Sequence, residues 1–218
     1  MATKPTHTKP DIDRPTRHRC SDAGAGAAAG AYTRGMTPYE DAQVVADTRR
    51  WLERAVIGLN LCPFAKAVHV KEQVRYAVSP ARSTDALRAD LERELRLLAE
   101  ADPAAIDTTL LMHPHVLQDF LDYNDFLDEA DHLLAELGLE GVLQVASFHP
   151  RYQFAGTGED DIENCTNRSP YPTLHLLREA SIDRAVEAFP EAEAIYETNM
   201  QTLRALGPEG WRRLFEKD

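Results

Sequence analysis

The chain has 218 residues, a mass of 24.4 kDa and a formal net charge of −12. No apolar run approaches the roughly 20 residues of a membrane span, and three cysteines are too few for a disulfide-built secreted scaffold. The acidic balance argues against a general nucleic-acid binder. What remains is a soluble, cytoplasmic globular protein of ordinary composition, 43% hydrophobic and 28% charged.

Residues 1–37 carry a net +3 and almost no large apolar side chains, so the rest of the chain carries −15. The run from Gly24 to Gly30 is only glycine and alanine. Such a segment buries too little surface to offset its ordering entropy, and it reads as a disordered extension. The division is therefore a 1–37 extension and a single globular domain over 38–218. Thr37, Pro38 and Glu40 form a helix start, and Val45, Thr48, Leu52, Ala55, Val56 and Leu59 recur at helical spacing as far as Asn60. Val74, Tyr76 and Val78 alternate as a strand that Ser79-Pro80 ends.

Ser83 or Thr84 caps a helix bearing Leu87, Leu91, Leu95 and Leu98, with Pro103 beyond its end. Ile106 to Met112 reads as a second strand, ended by His113-Pro114. A long helix from Val116 to Leu137 follows and stops at Gly138. Val142 to Phe148 is a third strand, ended by His149-Pro150. Residues 149–171 have no periodicity, which is unusual inside a compact domain. Pro172 is expected to restart a helix, Ser181 to cap another, and a further helix to run from Pro190 to Leu206. Gly207-Pro208 then breaks it before a short helix presenting Trp211, Leu214 and Phe215.

Two helix-bearing connections of about 25 residues suit crossovers between parallel strands. The expected fold is α/β: a small, mainly parallel sheet of three or four strands flanked by helices, with a helical C-terminal segment. A ferredoxin-like α+β arrangement is the alternative. A fourth strand is sought near Val68–Val70. Parallel strands would put Ser79, His113 and His149 along one edge, where ligands of open α/β sheets usually bind.

His113 and His115 have the spacing that points two imidazoles to one side of an extended segment, as metal sites use. His149 would be a third ligand, with Asp160, Asp161 or Cys165 as a fourth. Asn164, Asn167, Arg168 and Ser169, just before the helix expected at Pro172, are rich in donors suited to phosphate or carboxylate. Arg151 and Tyr152 flank His149 at the other stem of that loop. The same groups could instead satisfy the loop's own backbone. Cys62 in Cys62-Pro63-Phe64-Ala65 has the form of a thiol segment or a haem-contact pair, but it follows a helix rather than a strand and reads as a buried structural residue.

Trp51-Leu52, the run from Val56 to Lys66, Phe148-His149-Pro150 with Tyr152 to Phe154, and the run from Thr166 to Pro172 resemble the domain of unknown function 1415 family. The resemblance spans roughly residues 40–216 and implies a bacterial, cytosolic, single-domain protein. It carries no activity, cofactor or catalytic residue to this chain.

Three readings of function follow. The first is a small enzyme acting on a compact anionic substrate. Here His149 is base or metal ligand, Arg151 and Arg168 hold the anion, and Tyr152 or Asn167 orients it, with Asn164 and Ser169 alongside. The second is a non-catalytic binding or assembly module using Leu117, Leu121, Phe126 and Leu133, which lie outside the main stripe of the long helix. The third is metal or haem handling through His113, His115, His149 and Cys62. Neither a cofactor nor an oligomeric state is specified by the sequence.

Overall fold

The computed structural model describes residues 40–188 and 194–216. The extension over 1–37, the Thr37 cap and the start expected at Pro190 lie outside the described residues. Helix α1 (Asp41–Trp51) buries Val44, Thr48 and Trp51 at steps of four and three, the spacing that puts them on one face. It continues without a break into a π-helical segment, Leu52–Ile57. Wide turns carry the chain out of that segment: Gly58 N donates to Glu53 O at 3.0 Å and Leu61 N to Val56 O at 2.9 Å. Gly58 is tightly placed, since a Cβ there would sit 2.3 Å from the Arg54 carbonyl oxygen. Gly58→Ala should therefore lower the unfolding free energy by about 2 kcal/mol in urea titration, because the backbone must move to admit the methyl group.

A short helix α2 (Ala65–Val70) precedes strand β1 (Val74–Val78), so the region searched for a fourth strand is helical. Helix α3 (Thr84–Glu100) starts as the sequence indicates, with the Ser83 hydroxyl accepting from Ala86 N at 3.3 Å. Strand β2 (Thr108–Met112) leads to helix α4 (Phe120–Glu136), which begins four residues later than the Val116 end of its apolar stripe because Asp119 caps it. Strand β3 (Leu143–Phe148) follows.

The segment after Pro172 is not a helix. It is strand β4 (Thr173–Arg178), followed by helix α5 (Glu179–Ala188), in which Ser181 lies inside the helix and donates to Asp107 at 2.6 Å. Helix α6 (Ile195–Arg213) is interrupted at Gly207, whose φ of 67° marks the break that Gly207-Pro208 implies.

The sheet order is β1-β2-β4-β3. β1 and β2 are parallel, and β4 is antiparallel to both of its neighbours. The sheet is therefore mixed, with two of its three pairings antiparallel, and the mainly parallel expectation is corrected. The fold is α/β in the coarse sense, a four-stranded sheet with helices and a helical C-terminal segment. The strand order is also not ferredoxin-like, because β3 and β4 follow one another directly at the end rather than in the middle.

Leu87, Leu91, Leu95 and Leu98 of α3 and Phe120, Tyr123, Phe126, Ala130 and Leu133 of α4 pack against Ala77, Leu111, Leu174 and Leu176 of the sheet. Phe126 and Leu133 thus belong to the core and offer no assembly surface, and Leu117 packs against that core; Leu121 remains exposed. On the opposite face Val44 covers Leu110 and Met112, and Trp51 meets Phe148 edge-on at 5.2 Å. Arg178 ends β4 by donating to the carbonyls of Leu98, Ala101 and Ile106, which ties the C-terminal end of α3 to the sheet. Among the described residues no helix is long and apolar enough to cross a membrane.

Candidate functional site

β4 enters the sheet antiparallel, but it does not reverse β3. β1, β2 and β3 all run one way, and their carboxyl ends share an edge. Val78 pairs with Met112, while Met112 and Phe148 both pair with Thr173. Ser79, His113 and His149 follow these three ends, as the sequence implies.

His113 and His149 are both fully buried and both lie against the Tyr123 ring, at centroid distances of 5.7 and 5.1 Å. Tyr123 donates to Thr173 O at 2.8 Å and accepts from Phe148 N at 3.1 Å, so its hydroxyl bridges β4 and β3. The hydrogen bonds fix the imidazole tautomers. A carbonyl only accepts, so His113 donates from Nδ1 to Val116 O at 3.1 Å, leaving Nε2 as a bare lone pair. That nitrogen is buried and has no partner. His149 donates from Nε2 to Leu117 O at 3.2 Å and accepts Arg151 N at Nδ1 at 3.0 Å, so both its nitrogens are engaged. Burial pushes both imidazoles down to about 4. They are neutral at physiological pH.

His115 does not join them as the extended spacing implies. The chain turns at Pro114-His115, with Val116 N reaching back to His113 O at 3.5 Å, and the alternation of a strand does not apply there. Among the described residues no three His, Cys, Asp or Glu side chains are grouped to hold a metal. Asp161 accepts from Gly158 N at 2.7 Å, Asp160 is exposed, and Cys165 is buried with its thiol raised by burial.

The donor-rich loop is occupied by itself. Asn164 is fully buried; its oxygen accepts Phe154 N at 3.0 Å and Thr157 Oγ1 at 2.8 Å, and its nitrogen donates to Gly158 O at 2.8 Å. Arg168 donates to the carbonyls of Tyr152 and Glu159, Asn167 to Ser147 O, and Ser169 to Tyr171 O. Arg151 donates to Gln118 O at 2.8 Å and to Asp119 at 3.2 Å. The Tyr152 phenol is buried and raised by burial against its bonds to Ser147 and Asn167. Of the two readings of this loop, satisfaction of its own backbone accounts for Asn164, Asn167, Arg168 and Ser169. Glu163 further ties the loop to α6 through Arg204 at 2.6 Å.

A different concavity opens at the β1 end of the same edge. It has a volume of about 460 Å³ and is lined by Pro80, Ala81, Arg82, Ser83, Ala86 and Asp90. Ser79 N donates to Met112 O at 2.8 Å, so this wall lies directly beside the strand end that carries His113. Ser79 Oγ donates to Asp90 at 2.5 Å and accepts Ala81 N at 3.2 Å, which braces the turn. Arg82 is exposed, and no hydrogen bond, ion pair or ring contact to a described residue engages it. The sequence placed Ser79-Pro80 on the ligand edge and Ser83 at a helix cap, but it did not single out Arg82.

Cys62 stands apart from this edge. Its thiol accepts from the amides of Phe64 and Ala65, at the start of α2, so a helix follows it as well as precedes it. Burial outweighs those amides and raises the thiol. It packs against the cluster of Trp51, Leu52, Ala55 and Val56, in keeping with a structural residue.

No curated protein and no solved structure matches the chain. A family model does match residues 43–213, which run from within α1 to the end of α6 and hence include the whole strand-end edge. The chain belongs to the family described as protein of unknown function, DUF1415.

Proposed function

We propose that this protein is a small cytoplasmic enzyme acting on a compact anionic substrate bound at the turn between β1 and α3. The observation that carries the reading is the cavity of about 460 Å³ beside Arg82. It is an open concavity rather than an enclosed pocket, with room for a compact anion at its Arg82 wall. Its place at the carboxyl end of a strand in a β-α-β unit is where α/β sheets take ligands. Arg82 supplies a cation that no described residue engages, and the first turn of the 17-residue α3 adds its partial positive charge. The anion is thus assigned to Arg82 rather than to Arg151 and Arg168, whose guanidinium groups are committed to carbonyls. Free thiols at Cys62 and Cys165 suit a reducing compartment.

Titration calorimetry with inorganic phosphate tests the reading. Arg82→Ala should weaken binding by about tenfold, the loss expected of one charge-assisted contact, and leave the melting temperature unchanged. Phosphate binding that is absent from the native protein, or indifferent to Arg82, would sink it.

A further inference from the structure

The segment from His113 to Asp119 joins β2 to α4 and crosses the edge between the cavity and His149. Its middle is held by side chains rather than by a backbone ladder. His149 Nε2 holds the carbonyl of Leu117, and Arg151 holds that of Gln118. His113 Nδ1 and Gln118 Nε2 both reach Val116 O, at 3.1 and 3.3 Å. Leu117 sits at φ 56°, a left-handed conformation unfavourable for a residue with a side chain. A strained segment fastened by a few side chains opens more easily than the sheet behind it. At its start stands the one nitrogen of the two buried histidines that has no partner, His113 Nε2, itself buried. An imidazole whose Nδ1–H is fixed on a backbone carbonyl presents Nε2 as a ready proton acceptor.

We propose that residues 113–119 form a strap that opens to expose His113 Nε2 as the proton acceptor for the ligand bound beside Arg82. The inference rests on the anion site described above and adds the group that would take a proton there. Arg151 is the latch: its guanidinium is half exposed and, among the described residues, bonds only to the strap, at Gln118 O and Asp119.

The test is modification of the full-length protein by diethyl pyrocarbonate at pH 7, with each histidine followed by peptide mass. His113 should react slowly in the native protein and about tenfold faster in Arg151→Ala, with the urea midpoint of unfolding unchanged. Phosphate binding should survive in Arg151→Ala, whereas Arg82→Ala should bind phosphate about tenfold more weakly and leave His113 reactivity as it was. His113 equally protected in both proteins, or released only together with a fall in the urea midpoint, would overturn the strap. Loss of phosphate binding at Arg82 has no bearing on His113 reactivity, so failure of the anion site and failure of the strap are told apart.

Discussion

Acidifying the protein from pH 7 to pH 5 should remove about 4 kcal/mol of its unfolding free energy. His113, His149 and His175 each fall to about 4 on folding, chiefly through burial, against an ordinary value of 6.5. A depressed histidine excludes a proton that the unfolded chain accepts. Stability is therefore full above pH 6.5, declines through the window from 6.5 to 4, and levels below it. One fully buried imidazole contributes about 2 kcal/mol of that loss by pH 5. The total is less than three times this figure, because His113 and His149 already disfavour each other's charge. Geometry gives the same sign. His149 Nδ1 cannot take a proton without losing Arg151 N, and His113 Nε2 would bring a charge into a sealed aromatic cluster. Ordinary carboxylates titrate below most of this window and do not mask it. Urea midpoints at pH 7, 6 and 5 should fall steadily, and His113→Gln should flatten the slope by about a third. A midpoint constant from pH 7 to 5 would mean that water reaches these imidazoles.

Asn164→Ala should cost about 3–4 kcal/mol, the second large effect. The side chain is fully buried and bonded at both ends, to Phe154 N, Thr157 Oγ1 and Gly158 O. Removing it strands groups inside the loop, and each unsatisfied group costs about 1–3 kcal/mol. Arg168→Ala should also destabilise, since its guanidinium ties Tyr152 O to Glu159 O across the loop. This reverses what an anion-holding Arg168 implies, namely lost ligand binding with little change in melting. Thermal unfolding of both variants decides it: melting temperatures within a few degrees of the native value would restore the loop as a binding segment. The loop's density of Asn, Arg and Ser therefore serves to build a rigid connection from β3 to β4 out of chain with no helix or strand to satisfy it.

Much of the fold was legible because it rests on local rules. Ser83 caps α3, the leucines at 87, 91, 95 and 98 form its buried stripe, and three strands end at Ser-Pro or His-Pro steps. Strand β4 was not legible. Leu174 and Leu176 face the α3–α4 core, while Leu177 belongs to the other face, so Thr173-Leu174-His175-Leu176-Leu177-Arg178 shows neither clean alternation nor a turn signal inside. A central strand covered on both sides reads much like a helix. Its antiparallel direction was hidden too, because hydrophobic period says which residues face the core and not which way the chain runs.

The site shows the same division. The sequence alone determined that Ser79, His113 and His149 end successive strands, and three strands running one way were enough to align them. Tertiary structure decided what those residues do there. It turned the chain at Pro114-His115 so that two histidines did not become a ligand pair, set Tyr123 from a distant helix against both His113 and His149, and spent the polar groups of residues 149–172 on that segment and on neighbouring elements, Asn164 on Phe154 N and Asn167 on Ser147 O of β3. It also left Arg82 without a partner among the described residues, beside an open concavity. Hydrogen-bond partners that lie tens of residues apart are set by packing, and no spacing along the chain encodes them.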